Sequence, residues 1–149
     1  MISSAAIPTF MPTLRQLIRC TQAFERYSGL HVKKMGLTES QFDVIATLGN
    51  TRGMTCKELG ERTLITKGTL TGVLDRMEGR GLLSRRADAN DARRTHIVLT
   101  RKGRALFGAA FPAHMQHLQR SFDRVPATEL IQLHHHLSAL CSAFEESSA

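Results

Sequence analysis

Apolar residues recur along this chain at helical intervals, interrupted once by two short alternating runs, and threonines stand where several helices would begin. Thr13-Leu14-Arg15-Gln16, Thr38-Glu39-Ser40-Gln41 and Thr55-Cys56-Lys57-Glu58 each pair a threonine with a Gln or Glu three residues on. In such a capping box the hydroxyl accepts an orphan helical N–H and the longer side chain returns the bond. Behind the first box, Leu14, Leu17, Ile18, Thr21 and Phe24 form a stripe that predicts a helix to about Tyr27, stopped by Ser28-Gly29. The second helix buries Phe42, Ile45 and Leu48 and ends at Gly49-Asn50, and a turn over 51–53 leads to a short third helix from Thr55. Thr66 opens a fourth, with the stripe Leu70, Val73, Leu74 and Met77 and with Gly79 and Gly81 as its end. Residues 82–86 and 95–99 read as two strands, joined by a polar connection over 87–94 that is too long for a two-residue hairpin. Thr100 caps a fifth helix that continues to Phe122, with a kink expected at Pro112 and eased by Gly108. A last helix starts near Pro126, a residue suited to a first turn. Its Leu130, Leu133, Leu137, Leu140 and Phe144 step by 3, 4, 3 and 4, a heptad seam that suits either a core or a subunit interface.

The chain has 149 residues, 42% of them hydrophobic and 22% charged, which is ordinary usage for a soluble protein with one core or two small modules. No apolar run approaches the roughly 18 residues of a membrane span. The start, Met1-Ile2-Ser3-Ser4-Ala5-Ala6, lacks the basic and apolar regions of a secretory signal, so a cytoplasmic location is expected. Cys20, Cys56 and Cys141 are odd in number and have no metal-type spacing, which argues against a disulfide framework.

Charge sharpens the picture by its placement. Residues 52–104 carry thirteen basic and six acidic side chains, a net of +7 that equals the net charge of the whole chain. A basic module thus sits in a neutral frame. Phosphate is the commonest partner of such a module, because each neutralised phosphate releases condensed counterion. Two short helices in tight succession, the second polar and basic at its start, followed by a two-stranded wing, make a winged helix-turn-helix. The second helix of such a pair enters the major groove of double-stranded DNA, where its first turns must offer donors. Thr66, Lys67, Thr69 and Thr71 supply hydroxyls and an ammonium there, and Arg76 lies farther along, better placed for backbone than for bases. The alternative, in which Thr66 only caps and Thr69 and Thr71 only solvate the surface, stays open at this point.

These residues also carry a family likeness. Glu58-Leu59, the run from Thr66 to Glu78, Gly81-Leu82-Leu83, and Asp91-Ala92-Arg93 followed by Ile97-Val98-Leu99-Thr100 occur in the order found in the multiple-antibiotic-resistance (MarR) regulators, which the whole chain resembles. The resemblance implies a mainly α fold: a winged helix-turn-helix over 37–100, flanked by dimerisation helices in 1–36 and 101–149. It implies a homodimeric, non-enzymatic transcriptional regulator, commonly a repressor, on a pseudo-palindromic operator, with release by a small aromatic or phenolic effector. Carried over residue by residue, it places Arg93 in the minor groove with Asp91 orienting it, and makes Arg94 a second wing cation on phosphate. A long cation in a narrow electronegative groove is sound physics independently of the family. This chain departs from the pattern at Gly68 and Gly72, where relatives carry polar or larger, often basic residues; the glycines remove two base-reading side chains.

Other chemistry is thinner. Seven histidines include His114, His117 and the run His134-His135-His136, but consecutive helical residues diverge, and surface or interface roles fit better than a metal-responsive site. Cys20 lies where redox-responsive relatives place a thiol, yet Tyr27 is the chain's one tyrosine, and a buried structural cysteine is the expectation. There is no P-loop, no paired-carboxylate metal site and no nucleophile triad, so neither an enzyme nor a cofactor is indicated. A winged-helix module serving protein contacts alone would need neither Arg93 nor the concentrated +7.

Overall fold

The computed structural model describes residues 7–63 and 65–148. The described residues form six helices: α1 (Met11–Lys34), α2 (Glu39–Leu48), α3 (Cys56–Arg62), α4 (Lys67–Gly79), α5 (Arg101–Phe122) and α6 (Ala127–Glu146). Three strands, β1 (Met54–Thr55), β2 (Leu83–Ala87) and β3 (Thr95–Leu99), form an antiparallel sheet in the order β1-β3-β2. The chain divides into two compact units, Met1–His114 and Met115–Ala149.

The capping boxes at Thr38 and Thr55 form in full. Thr38 Oγ1 accepts from the Gln41 N–H at 3.2 Å while Gln41 Oε1 accepts from the Thr38 N–H at 3.1 Å. Thr55 and Glu58 repeat the exchange at 3.2 and 2.8 Å. The box expected at Thr13 does not form. Helix α1 begins earlier, at Met11, with Pro12 in its first turn, and Thr13 lies inside it. Proline at this position supplies a preset φ and forgoes an N–H that has no partner anyway.

The expected end of α1 at Ser28-Gly29 is also overturned, because the helix runs on to Lys34. Ser28 is buried and its hydroxyl meets His114 Nε2 at 3.2 Å. At Gly29 an added Cβ would come within 2.8 Å of Glu39 Oε1, so this glycine permits close approach and does not break the helix. The true stop is Gly36, at φ +75°, where the Gly36 N–H reaches Lys33 O at 3.0 Å and the Leu37 N–H reaches Val32 O at 3.4 Å. That is a Schellman ending, which needs a residue in the left-handed region. Helix α4 ends in the same way: Gly81 has φ +70°, and Gly81 and Leu82 donate to Glu78 O and Met77 O at 2.8 and 3.0 Å.

The core lies within the first unit. Val44, Ile45 and Leu48 of α2, Leu59 of α3, and Leu70, Val73, Leu74 and Met77 of α4 meet Leu83, Ile97 and Leu99 of the sheet. Strand β1, absent from the sequence reading, pairs Met54 with Ile97 and Thr55 with His96. Two residues are too few to show an alternating pattern, so it exists only through its partner strand. Thr100 caps α5 as expected, accepting from the Gly103 N–H at 3.1 Å, and α5 continues through Pro112.

Four side chains are placed differently from expectation. Cys20 is exposed, because the first half of α1 contributes nothing to the core and burial begins only at Ser28 and Val32. Ile18 and Phe24 of the predicted stripe are each 49% exposed. His114, expected at a surface or interface, is 2% exposed; its Nδ1 lies 2.9 Å from His31 Nδ1, and Phe42 packs edge-on against its ring. In α6 no described residue is buried, and Ile131, Leu133, Leu137 and Phe144 stand 40–58% exposed.

Candidate nucleic-acid interface

Helix α4 buries one face and leaves the other open. Leu70, Val73, Leu74 and Met77 point into the core, while Lys67, Thr69, Thr71 and Arg76 are exposed, as is Thr66 just ahead of them. Thr66 has extended backbone angles but its hydroxyl does not cap. It donates instead to Thr69 Oγ1 at 3.0 Å. Helices α2, α3 and α5 each receive a threonine cap, and α2 and α3 carry Glu39 and Glu58 in their first turns. Helix α4 has no side-chain cap and no acid in its first turn. Its partial positive charge and first N–H groups thus remain available to an anion, with Lys67 beside them.

Gly72 acquires a role at this surface. A Cβ there would lie 3.5 Å from Arg76 Nη1, so the guanidinium of Arg76 folds back one turn over the glycine. Arg76 thereby reaches the N-terminal half of the helix instead of extending beyond it. Around Gly68 nothing lies within 4 Å of an added Cβ, leaving bare backbone facing outward.

The wing is ordered at its tip by its own carboxylates. Asp88 Oδ1 accepts from the Asn90 N–H at 2.7 Å, and the Asp88 N–H donates to Arg94 O at 2.8 Å. The Asn90 N–H, aided by nearby positive charge from His96 and Arg94, holds the Asp88 carboxyl below its ordinary range. Asp91 Oδ1 accepts from the backbone N–H of Arg93 at 3.0 Å, and the Arg94 N–H donates to Asp91 O at 2.9 Å. Asp91 therefore shapes the turn through the main chain, and the side chains of Arg93 and Arg94 are left exposed.

One residue of this surface escaped sequence reasoning. Arg85 of β2 reaches across to α4, where its Nη2 lies 2.6 Å from Asp75 Oδ1 and its Nη1 pairs with Glu78 Oε2. Its backbone N–H also donates to Glu78 Oε1 at 3.3 Å. The hydrogen bond to Asp75 leads the effects that raise the Arg85 pKa above that of a free guanidinium. The bridge ties the wing to the helix and offsets one of the two negative charges on the exposed side of α4. A signal was present: Leu83 and Arg85 share one face of a strand, and Asp75 and Glu78 stand at i, i+3 on the preceding helix. Among the described residues no group of three or more His, Cys, Asp or Glu side chains is placed to hold a metal ion.

Known proteins share this arrangement. Residues 37–95 match the MarR family. The homoprotocatechuate degradative operon repressor of Escherichia coli is 36% identical over 94 residues, 63% of this chain and 64% of the repressor, so the match spans just under two thirds of that protein's length. The HTH-type transcriptional regulator MhqR of Bacillus subtilis is 31% identical over 98 residues, covering 66% of this chain and 68% of that regulator. A mutant MarR from E. coli, solved in complex with operator DNA, superposes with a TM-score of 0.78 at 23% identity, covering 90% of this chain and 99% of the other. The likeness in sequence and the winged helix-turn-helix together establish that this chain belongs to the MarR family of HTH-type transcriptional regulators.

Proposed function

We propose that the protein is a sequence-specific DNA-binding repressor that occupies a pseudo-palindromic operator as a homodimer and is released by a small aromatic or phenolic effector. The observation that carries the DNA reading is the uncapped, acid-free start of α4, flanked by Lys67, Thr69, Thr71 and Arg76 and braced by Arg85 to a wing that exposes Arg93 and Arg94. In this reading α4 lies in the major groove, its N-terminal N–H groups on phosphate, with Lys67, Thr69 and Thr71 toward base edges and Thr66 at the backbone. Arg93 enters the adjacent minor groove, with Asp91 holding the turn that presents it and Arg94 on phosphate.

Dimerisation is assigned to residues 1–36 and 101–149, on either side of a DNA-binding module over 37–100. The support is the apolar surface left open on Ile18, Phe24, Ile131, Leu133, Leu137 and Phe144. The phenolic effector is supported by the likeness to a homoprotocatechuate operon repressor. As a regulator acting on DNA, the protein works in the cytoplasm.

Selection from a random duplex library tests the reading. The full chain should enrich inverted repeats whose half-site centres are separated by about one helical turn, roughly 10 bp. Recovery of unrelated sequences, bound no more tightly than bulk DNA, would refute sequence-specific recognition.

A further inference from the structure

The side of the wing sheet turned away from α4 carries a second concentration of positive charge. Successive strand residues face opposite ways, so Arg85, engaged with α4, leaves Arg86 on the other face. There Arg86 meets Arg52 of the turn before β1 and Arg101 and Arg104 of the first turn of α5, around an open cavity of about 330 Å³ floored by Val98 and Thr100. None of these four guanidiniums pairs with a carboxylate among the described residues. Four acids of this part of the fold are committed elsewhere: Asp75 and Glu78 to Arg85, Glu58 to the Thr55 cap, and Asp88 to the wing turn.

Four like charges around one space repel one another, and neither a counter-charge nor a side-chain hydrogen bond from the described residues offsets the repulsion. Guanidinium forks match the paired oxygens of a phosphate, and several converging on one cavity favour a multiply charged oxyanion over chloride. We propose that this cavity is a binding site for a phosphate group, distinct from the surface formed by α4 and the wing tip. Two sources supply that chemistry. One is a backbone phosphate of DNA running past the wing base, which rests on the DNA-binding reading above. The other is the phosphate of a soluble molecule, which does not. Thr95 to Leu99 spans about 13 Å at strand rise, so a DNA phosphate held here is a different one from those beside Arg93.

The test uses inorganic pyrophosphate and a 30-bp duplex on the full chain, at fixed ionic strength for the first and over a salt series for the second. R101Q/R104Q removes two of the four cations at exposed helix positions, and K33Q/K34Q removes equal charge from the end of α1. Pyrophosphate should bind the wild type and K33Q/K34Q saturably and bind R101Q/R104Q at least tenfold more weakly. If DNA fills the site, R101Q/R104Q also lowers the magnitude of the log K against log salt slope by about one to two, beyond K33Q/K34Q, and pyrophosphate competes with the duplex. If a soluble phosphate fills it, the slope matches the control while pyrophosphate binding stays lost. R52Q, outside any helix, repeats the comparison should the double substitution unfold α5. The proposal is overturned if the cavity variants match the wild type in both pyrophosphate affinity and salt slope. Pyrophosphate binding by a chain that fails to bind any duplex would uphold the site and sink the DNA reading.

Discussion

Replacing Gly103 by alanine sets two physical effects against each other, and the structure decides between them. In an exposed helix interior, Gly→Ala gains roughly 1 kcal/mol from backbone entropy. Gly103, however, is buried against the strand that starts the wing: an added Cβ would stand 1.9 Å from Leu82 O, 3.0 Å from Leu82 C and 3.2 Å from Leu99 Cδ2. The nearest of these atoms is backbone, so relief requires α5 and Leu82 to separate by about 1 Å, an overpacking that costs roughly 1–3 kcal/mol. Leu82 O also accepts the Thr100 N–H at 3.1 Å, and Thr100 Oγ1 donates to Gly81 O at 2.6 Å. Stretching one or both removes about 1 kcal/mol each. The balance is a net loss of roughly 1–4 kcal/mol after the helix gain is counted. Urea unfolding followed by far-ultraviolet circular dichroism, at one protomer concentration throughout, measures it. With a slope near 2 kcal/mol/M, a loss of about 2 kcal/mol lowers the midpoint by about 1 M. An unchanged or raised midpoint would mean that the junction of β2 and α5 is compliant, and the reasoning from close approach would fail.

Gly68→Ala should do the opposite to stability, raising it by up to about 1 kcal/mol because nothing lies within 4 Å, while weakening operator binding if bare backbone approaches DNA there; unchanged affinity in gel shifts would remove that approach. Arg93→Ala should weaken operator binding, lower the salt-slope magnitude by about one and flatten the preference for A·T-rich flanks, and a variant identical to the wild type in all three would take the wing off the DNA. Leu137→Glu, 40% exposed in the single chain, should yield monomers or unfolded protein in sedimentation at low micromolar concentration; a folded dimer would place the interface elsewhere. Glu58 is held below its ordinary pKa first by the Thr55 backbone N–H and then by the Thr55 hydroxyl, so its stabilisation is complete above the unfolded carboxylate value and is lost as pH falls through the lowered folded one. Acid titrations of the wild type and Glu58→Gln should therefore diverge above about pH 4 and converge below it, and curves parallel throughout would show that the cap does not depend on ionisation.

Local chemistry made much of this protein legible in its residues. The boxes at Thr38 and Thr55, the stripe on α4 and the cap at Thr100 each involve partners within four positions, so one stretch of chain decides them. The exposure of Thr66, Lys67, Thr69, Thr71 and Arg76 followed from the same helical period once the apolar face was known. Where local signals competed, tertiary contacts chose. Ser28-Gly29 carries the composition of a helix stop, yet the hydroxyl found His114, eighty-six residues away, and the stop moved to Gly36, where a left-handed residue was needed. Cys20 has the type of a buried residue, but its helix turn meets no core within this chain. Arg85 binding Asp75 and Glu78, Arg76 folding over Gly72 and four arginines gathering around Val98 all depend on which way a strand or helix faces its neighbour. Facing is fixed by register and packing between distant segments. A pattern read along one segment determines its period but not the phase in which it meets the next.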